Sequence, residues 1–173
     1  MEGVEVGGLA DLIGDIAEKK IDTLLILGGN PVYDAPADWE FAESLAKTPH
    51  TIHLSEYDNE TSRECEWSLP QAHALERWDA FYAWDGVPST AQPMIDPLLN
   101  GRSAGEVLAL FDEGPGAVDG QGLARRAVAA VASGVTPGID EGEGDEAWKK
   151  LLHDGFAGEG WSPYTPSLAG RPA

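Results

Sequence analysis

Cysteine is nearly missing: among 173 residues there is one, Cys65. A single thiol closes no internal disulfide and supplies neither a four-thiolate zinc site nor an iron–sulfur cluster, which takes about four cysteines. Basic residues are scarce too, 11 Lys and Arg against 30 Asp and Glu, for a formal net charge of −19. That field repels phosphate backbones and anionic lipid surfaces, which argues against a nucleic-acid or membrane-surface role. No run reaches the ~18 to 20 apolar residues of a membrane-spanning helix. The opening Met1-Glu2-Gly3-Val4-Glu5 has neither the basic nor the apolar part of a signal peptide. The expectation is a soluble chain without an address of its own. Its acidity points either to cationic partners or to adaptation to high salt, because acidic residues are spread along the whole chain.

What is present begins with an amphipathic pattern. Leu9, Leu12, Ile13 and Ile16 fall at i, i+3, i+4 and i+7, predicting a helix with Lys19 and Lys20 at its negative end. Ile21 to Leu27 is a nearly continuous apolar run, as in a strand covered on both faces of a parallel sheet, and it stops at Gly28-Gly29-Asn30-Pro31. Pro36, Asp38 and Glu40 are placed to start a helix whose buried face is Phe41, Ala42 and Leu45. Thr51 to Leu54 reads as a second strand, so the three pieces form a parallel βαβ unit with a right-handed crossover.

From Ser55 to Gly101 periodicity is lost, and the stretch, with Trp67, Trp78 and Trp84, reads as a long irregular but ordered excursion. Ser103 and Glu106 have capping-box spacing ahead of Val107, Leu108, Leu110 and Phe111. A small-residue helix from Leu123 to about Ser133 follows. Next come a Gly/Glu-rich linker over 135–144 and a short helix bearing Trp148, Leu151 and Leu152 that stops at Gly155; 162–166 reads as extended. The fold class is α/β: a partial parallel-sheet, Rossmann-like βαβ domain over 1–113, then a linker and helical extension over 114–173. Two strands are too few for an independent parallel sheet, which implies a piece of a larger domain.

Ligands of open α/β sheets sit beyond the carboxyl ends of the strands. Here those ends are Gly28 to Pro31 and the acidic, hydroxyl-rich stretch from Glu56 through Asp58 and Asn59 to Ser62. Glycines admit close backbone approach, and Asn30 can present an amide to a phosphate, ribose or pterin edge. The same residues also suit a plain strand-exit turn and a solvated acidic loop. His50, His53, His73 and His153 have no metal-binding spacing and read as structural or surface residues. Cys65 reads as buried, the tryptophans as core or interface, and no serine sits in a nucleophile-elbow frame. No catalytic residue and no metal site is identified.

Taken in order, Leu24 to Pro36, Ile52-His53-Leu54, Asp58 to Ser62, Trp67-Ser68-Leu69-Pro70 and Glu76 resemble the molybdopterin oxidoreductase family. They are most similar to the divergent branch found as the large iron–sulfur subunit of alternative complex III. Ala91 to Leu98, Gly101-Arg102-Ser103-Ala104 and Trp148 to Gly155 add to the likeness. The resemblance implies a molybdopterin-oxidoreductase-like fold in which Gly28, Gly29, Asn30, Pro31, Glu60, Thr61 and Ser62 correspond to cofactor-binding positions, vestigial here. Cys65-Glu66-Trp67-Ser68 and Arg77 to Gly86 depart from the cofactor-binding pattern. In that branch the fold is kept without molybdenum, and iron–sulfur clusters lie elsewhere in the full subunit. The implied partners are other subunits of a membrane-bound respiratory complex, with the chain held on the periplasmic side. Lacking the expected upstream strands and export segment, the chain reads as a fragment whose Met1 reflects gene calling or a broken frame. The alternatives are a fragment of a true bis-pterin guanine dinucleotide oxidoreductase and a stand-alone acidic βαβ binding domain.

Overall fold

The computed structural model describes residues 7–83, 87–114, 119–132 and 145–156. They are mixed α/β and divide into two compact units, Met1–Arg77 with Pro93–Gly120, and Trp78–Gln92 with Gln121–Ala173. Packing thus groups residues 78–92 with the C-terminal helices, across the order of the chain.

In the first unit, helix α1 spans Leu9–Ala17 and buries Ile16. The Asp11 carboxylate accepts from the Gly8 backbone N–H at 2.8 Å, and Lys20 pairs with Glu18 and Asp15 beyond the helix end. Strand β1, Thr23–Leu27, follows. Its central residues are half-buried and its ends exposed, so it is not covered on both faces, and it is an edge strand in the order β1-β2-β3. A short helix precedes Pro36, and the single helix predicted after it is instead two short pieces. Helix α2 is Pro31–Asp34, a 3-10 turn covers Ala37–Trp39, and α3 is Phe41–Leu45. Glu40, at φ 44°, adopts the left-handed conformation and breaks the run where propensity alone would let it continue. Phe41 and Leu45 are buried as expected, and α3 touches α1, α2 and α4.

Strand β2, His50–Ser55, is the centre of the sheet. Thr51, His53 and Leu54 are buried on it, and it runs parallel to β1 with Leu25 opposite Ile52 and Leu27 opposite Leu54. The stretch after Ser55 is not irregular. It contains helix α4, Glu60–Glu64, and strand β3, Trp67–Pro70, which pairs in parallel with β2. Four residues with Trp67 and Ser68 exposed carry no clear two-residue period, so pairing with β2, not local pattern, defines this strand. At its end, the Arg102 N–H donates to the Pro70 carbonyl and the Ala72 N–H to the Arg102 carbonyl. Gly101 permits that approach: a Cβ there would lie 2.8 Å from the Ala72 nitrogen.

Strands β4, Asp79–Tyr82, and β5, Pro88–Ala91, form an antiparallel pair in the second unit. Helix α5, Ala104–Glu113, belongs to the first unit and opens with the predicted capping box: Ser103 N–H to Glu106 Oε2 at 2.8 Å and Glu106 N–H to Ser103 Oγ at 3.1 Å. Helices α6, Gly120–Ala132, and α7, Asp145–Asp154, follow, the latter ended by Gly155 at φ 82°. Ala124, Val128, Trp148 and Leu151 make the second unit's core, with Trp78 stacked at a tilt on Trp148, ring centroids 6.1 Å apart. Arg125 lies over the Trp148 ring, 5.9 Å from its centroid. The linker over 135–144, the extended 162–166, Trp84 and Trp161 lie outside the described residues.

Candidate strand-exit site

Because all three strands are parallel, their carboxyl ends share one edge of the sheet. The turn of Gly28 and Gly29, at φ 73° and 71°, leads the chain away from β1 into α2. That backbone favours glycine, and at Gly29 no neighbouring atom would obstruct a Cβ, so the demand is conformational. Asn59 caps α4 by accepting from the Ser62 N–H at 3.0 Å. The two exits face each other.

They bind each other. Asn30 Nδ2 donates to Glu60 at 2.7 Å, while Asn30 Oδ1 accepts from the Thr61 hydroxyl at 2.8 Å and from its N–H at 3.2 Å. Thr61 Oγ1 in turn accepts from the Val32 N–H at 3.0 Å. Asn59 Nδ2 reaches the Gly29 carbonyl at 3.4 Å. The bond from Asn30 holds the Glu60 carboxyl below the usual carboxylate range. Pro31 opens α2 at its first position, where its missing N–H leaves nothing unpaired. Asn30, Glu60 and Thr61, with Gly29 and Asn59, thus form a clasp between two strand exits, and Gly28, Pro31 and Ser62 flank it.

Under the clasp lies His53, fully buried, with Nδ1 2.9 Å from Ser62 Oγ. Burial lowers its pKa; the backbone of Gly29 and Gly28 opposes that shift, yet no group among the described residues reaches hydrogen-bond geometry with Nε2. His50, by contrast, is exposed and bonds Glu66 at 3.1 Å. Cys65 is half-buried, not buried, and its thiol pKa is raised by desolvation, which keeps it a weak nucleophile. Among the described residues no group of His, Cys, Asp and Glu is arranged to hold a metal ion.

A cavity of about 520 Å³ opens beside the clasp. Gly28 to Asn30 form one wall, Ser55 to Tyr57 another, with Asn59, Gln71 and Asp34 completing it. Gln71 follows β3 and Asp34 ends α2, and no local pattern in the sequence marks either as a lining residue. The lining holds no Lys or Arg, and it holds two carboxylates, Asp34 and Glu56. Glu56 is 3.8 Å from Arg77. Among the described residues, nothing bonds the side chains of Asp34 and Gln71 or the Tyr57 hydroxyl. A pyrophosphate-bearing cofactor fits this lining poorly: the amide best placed to receive it is engaged by Glu60 and Thr61, and the free charge is of the wrong sign.

Over 103 residues the chain is 30% identical to a relative from Nitratidesulfovibrio vulgaris (strain Hildenborough). That protein is a menaquinone reductase, molybdopterin-binding-like subunit. The match takes in 57% of this chain and 15% of the relative, so the chain spans a small part of that protein's length. No family model matches. The likeness is to a molybdopterin-binding-like subunit of a menaquinone reductase, in keeping with the molybdopterin-oxidoreductase resemblance of the ordered motifs. No described helix is long and apolar enough to cross a membrane.

Proposed function

We propose that this chain is part of a catalytically silent, molybdopterin-oxidoreductase-like domain in a respiratory quinol:electron-acceptor oxidoreductase of the alternative complex III type. It scaffolds the complex and leaves electron transfer to iron–sulfur clusters elsewhere in the full subunit. Its partners are the other subunits, which hold it at the membrane on the periplasmic side. The similarity to a menaquinone reductase subunit supports the setting.

The observation that carries silence is the engagement of Asn30. Both ends of its amide are taken by Glu60 and Thr61, so the strand exit serves its own architecture. A pterin dinucleotide would have to break that clasp and then place its phosphates beside Asp34 and Glu56. The test is metal and pterin analysis of the full-length subunit purified in its complex. Iron without molybdenum, tungsten or pterin is expected; stoichiometric pterin with either metal would overturn the reading and make the chain part of a true pterin enzyme.

A further inference from the structure

We infer that the strand-exit cavity is a receptor for an arginine side chain presented by a partner protein. The inference rests on the scaffold reading, in which no pterin dinucleotide fills this edge of the sheet. It starts from the groups the clasp leaves over. Asp34 ends α2 with a carboxylate that no described residue bonds, and it lines the cavity together with the unbonded amide of Gln71. Glu56 adds a second carboxylate, shared with Arg77. The wall therefore carries acceptors and uncompensated negative charge, in a chain of net charge −19. A cation is attracted and a phosphate repelled.

The aromatic groups narrow the choice of cation. Tyr57 lines the cavity and is 73% exposed; Tyr33, next to Asp34 on α2, is exposed to the same degree. A large aromatic ring left so open on an ordered loop offers a stacking face to an incoming ligand. A planar guanidinium uses both features at once, stacking on an aromatic face while its fork of N–H donors meets a carboxylate. Lysine, a compact and strongly hydrated ammonium, uses the charge alone. Arginine and tyrosine are also the residues that anchor protein interfaces, seated in pockets that exclude water. Charge complementarity thus identifies the occupant as a basic anchor of another subunit, and the surface as one edge of the interface it makes.

The experiment is a titration of the purified full-length subunit that carries this segment, free of its partners, with Nα-acetyl-arginine amide at low salt, followed by backbone amide chemical shifts. The lysine analogue and GDP serve as competing probes. Saturable shifts at Gly29 and Tyr57 are expected. Asp34→Asn and Tyr57→Ala should each weaken binding by about tenfold. The lysine analogue should bind at least about threefold more weakly. Glu18→Gln removes a carboxylate near the opposite edge of the sheet and should leave binding unchanged. Three results would overturn the inference: no saturable binding, equal losses in Asp34→Asn and Glu18→Gln, or GDP binding the same residues more tightly than the arginine probe. Failure here is separable from failure of the scaffold reading. Pterin in the purified complex removes both, whereas a pterin-free complex with no arginine response removes only this one.

Discussion

At the exits of β1 and β2, Asn30, Glu60, Thr61 and Asn59 hold two loops together by side-chain hydrogen bonds, whereas Ala124, Val128, Trp148 and Leu151 hold the second unit by apolar packing. The difference lies in what each region tolerates. Apolar packing is non-directional and scales with the area removed from water. The clasp depends on angles and on complete pairing, so losing one member leaves its partners unsatisfied. Each region also contains one exception, a buried nitrogen with no partner among the described residues: His53 Nε2 beneath the clasp and Trp148 Nε1 in the core.

Trp148→Ala tests the packed region most severely. Removing the ring that meets Trp78 and Arg125 should cost about 3–5 kcal/mol. Hydrogen exchange should then show protection lost in α6 and α7 while β2 keeps its own; equal loss in both would mean that the two units unfold as one. Gly101→Ala attacks the first unit by crowding, since the added Cβ would meet the Ala72 nitrogen at 2.8 Å. A loss of about 1–3 kcal/mol in urea denaturation is expected, with amides near Ala72 and Arg102 exchanging first.

Asn30→Ala sharpens the comparison by undoing the clasp without touching a core. Thr61 loses its acceptor and Glu60 its donor, for a cost of about 1–3 kcal/mol. The Glu60 carboxyl, freed from the bond that lowers its pKa, should titrate nearer the ordinary carboxylate range, which side-chain carbon shifts would detect.

The smallest effect concerns His53. Its folded pKa lies below the ordinary histidine value, so between the two the unfolded chain binds more protons and stability rises with pH. The contribution is complete above ~6.5, the usual unfolded histidine pKa, and declines as pH falls from there toward the folded pKa. His53→Gln should flatten that slope in melts between about pH 5 and 7. An unchanged slope would mean that another group is responsible.

Much of the first unit was legible because its signals are local. The apolar run into Gly28, the capping box at Ser103 and the heptad-like spacing in α1 each lie within a few residues, and each appears where the pattern puts it. Strand β3, the break at Glu40 and the cavity contributions of Gln71 and Asp34 were not legible. β3 exists through its pairing with β2, and Gln71 enters the cavity only because that pairing brings it there.

The sequence by itself therefore determined the parallel βαβ core, its glycine exit and its capped helices, since propensity, periodicity and turn chemistry act over a few neighbouring positions. Only the tertiary structure decided that Asn30 bonds Thr61 and Glu60, and that residues 78–92 join the C-terminal helices. Those outcomes depend on contacts between residues some thirty or more positions apart. Such contacts are selected by which burial and pairing the whole chain can satisfy at once, and no local window contains that information.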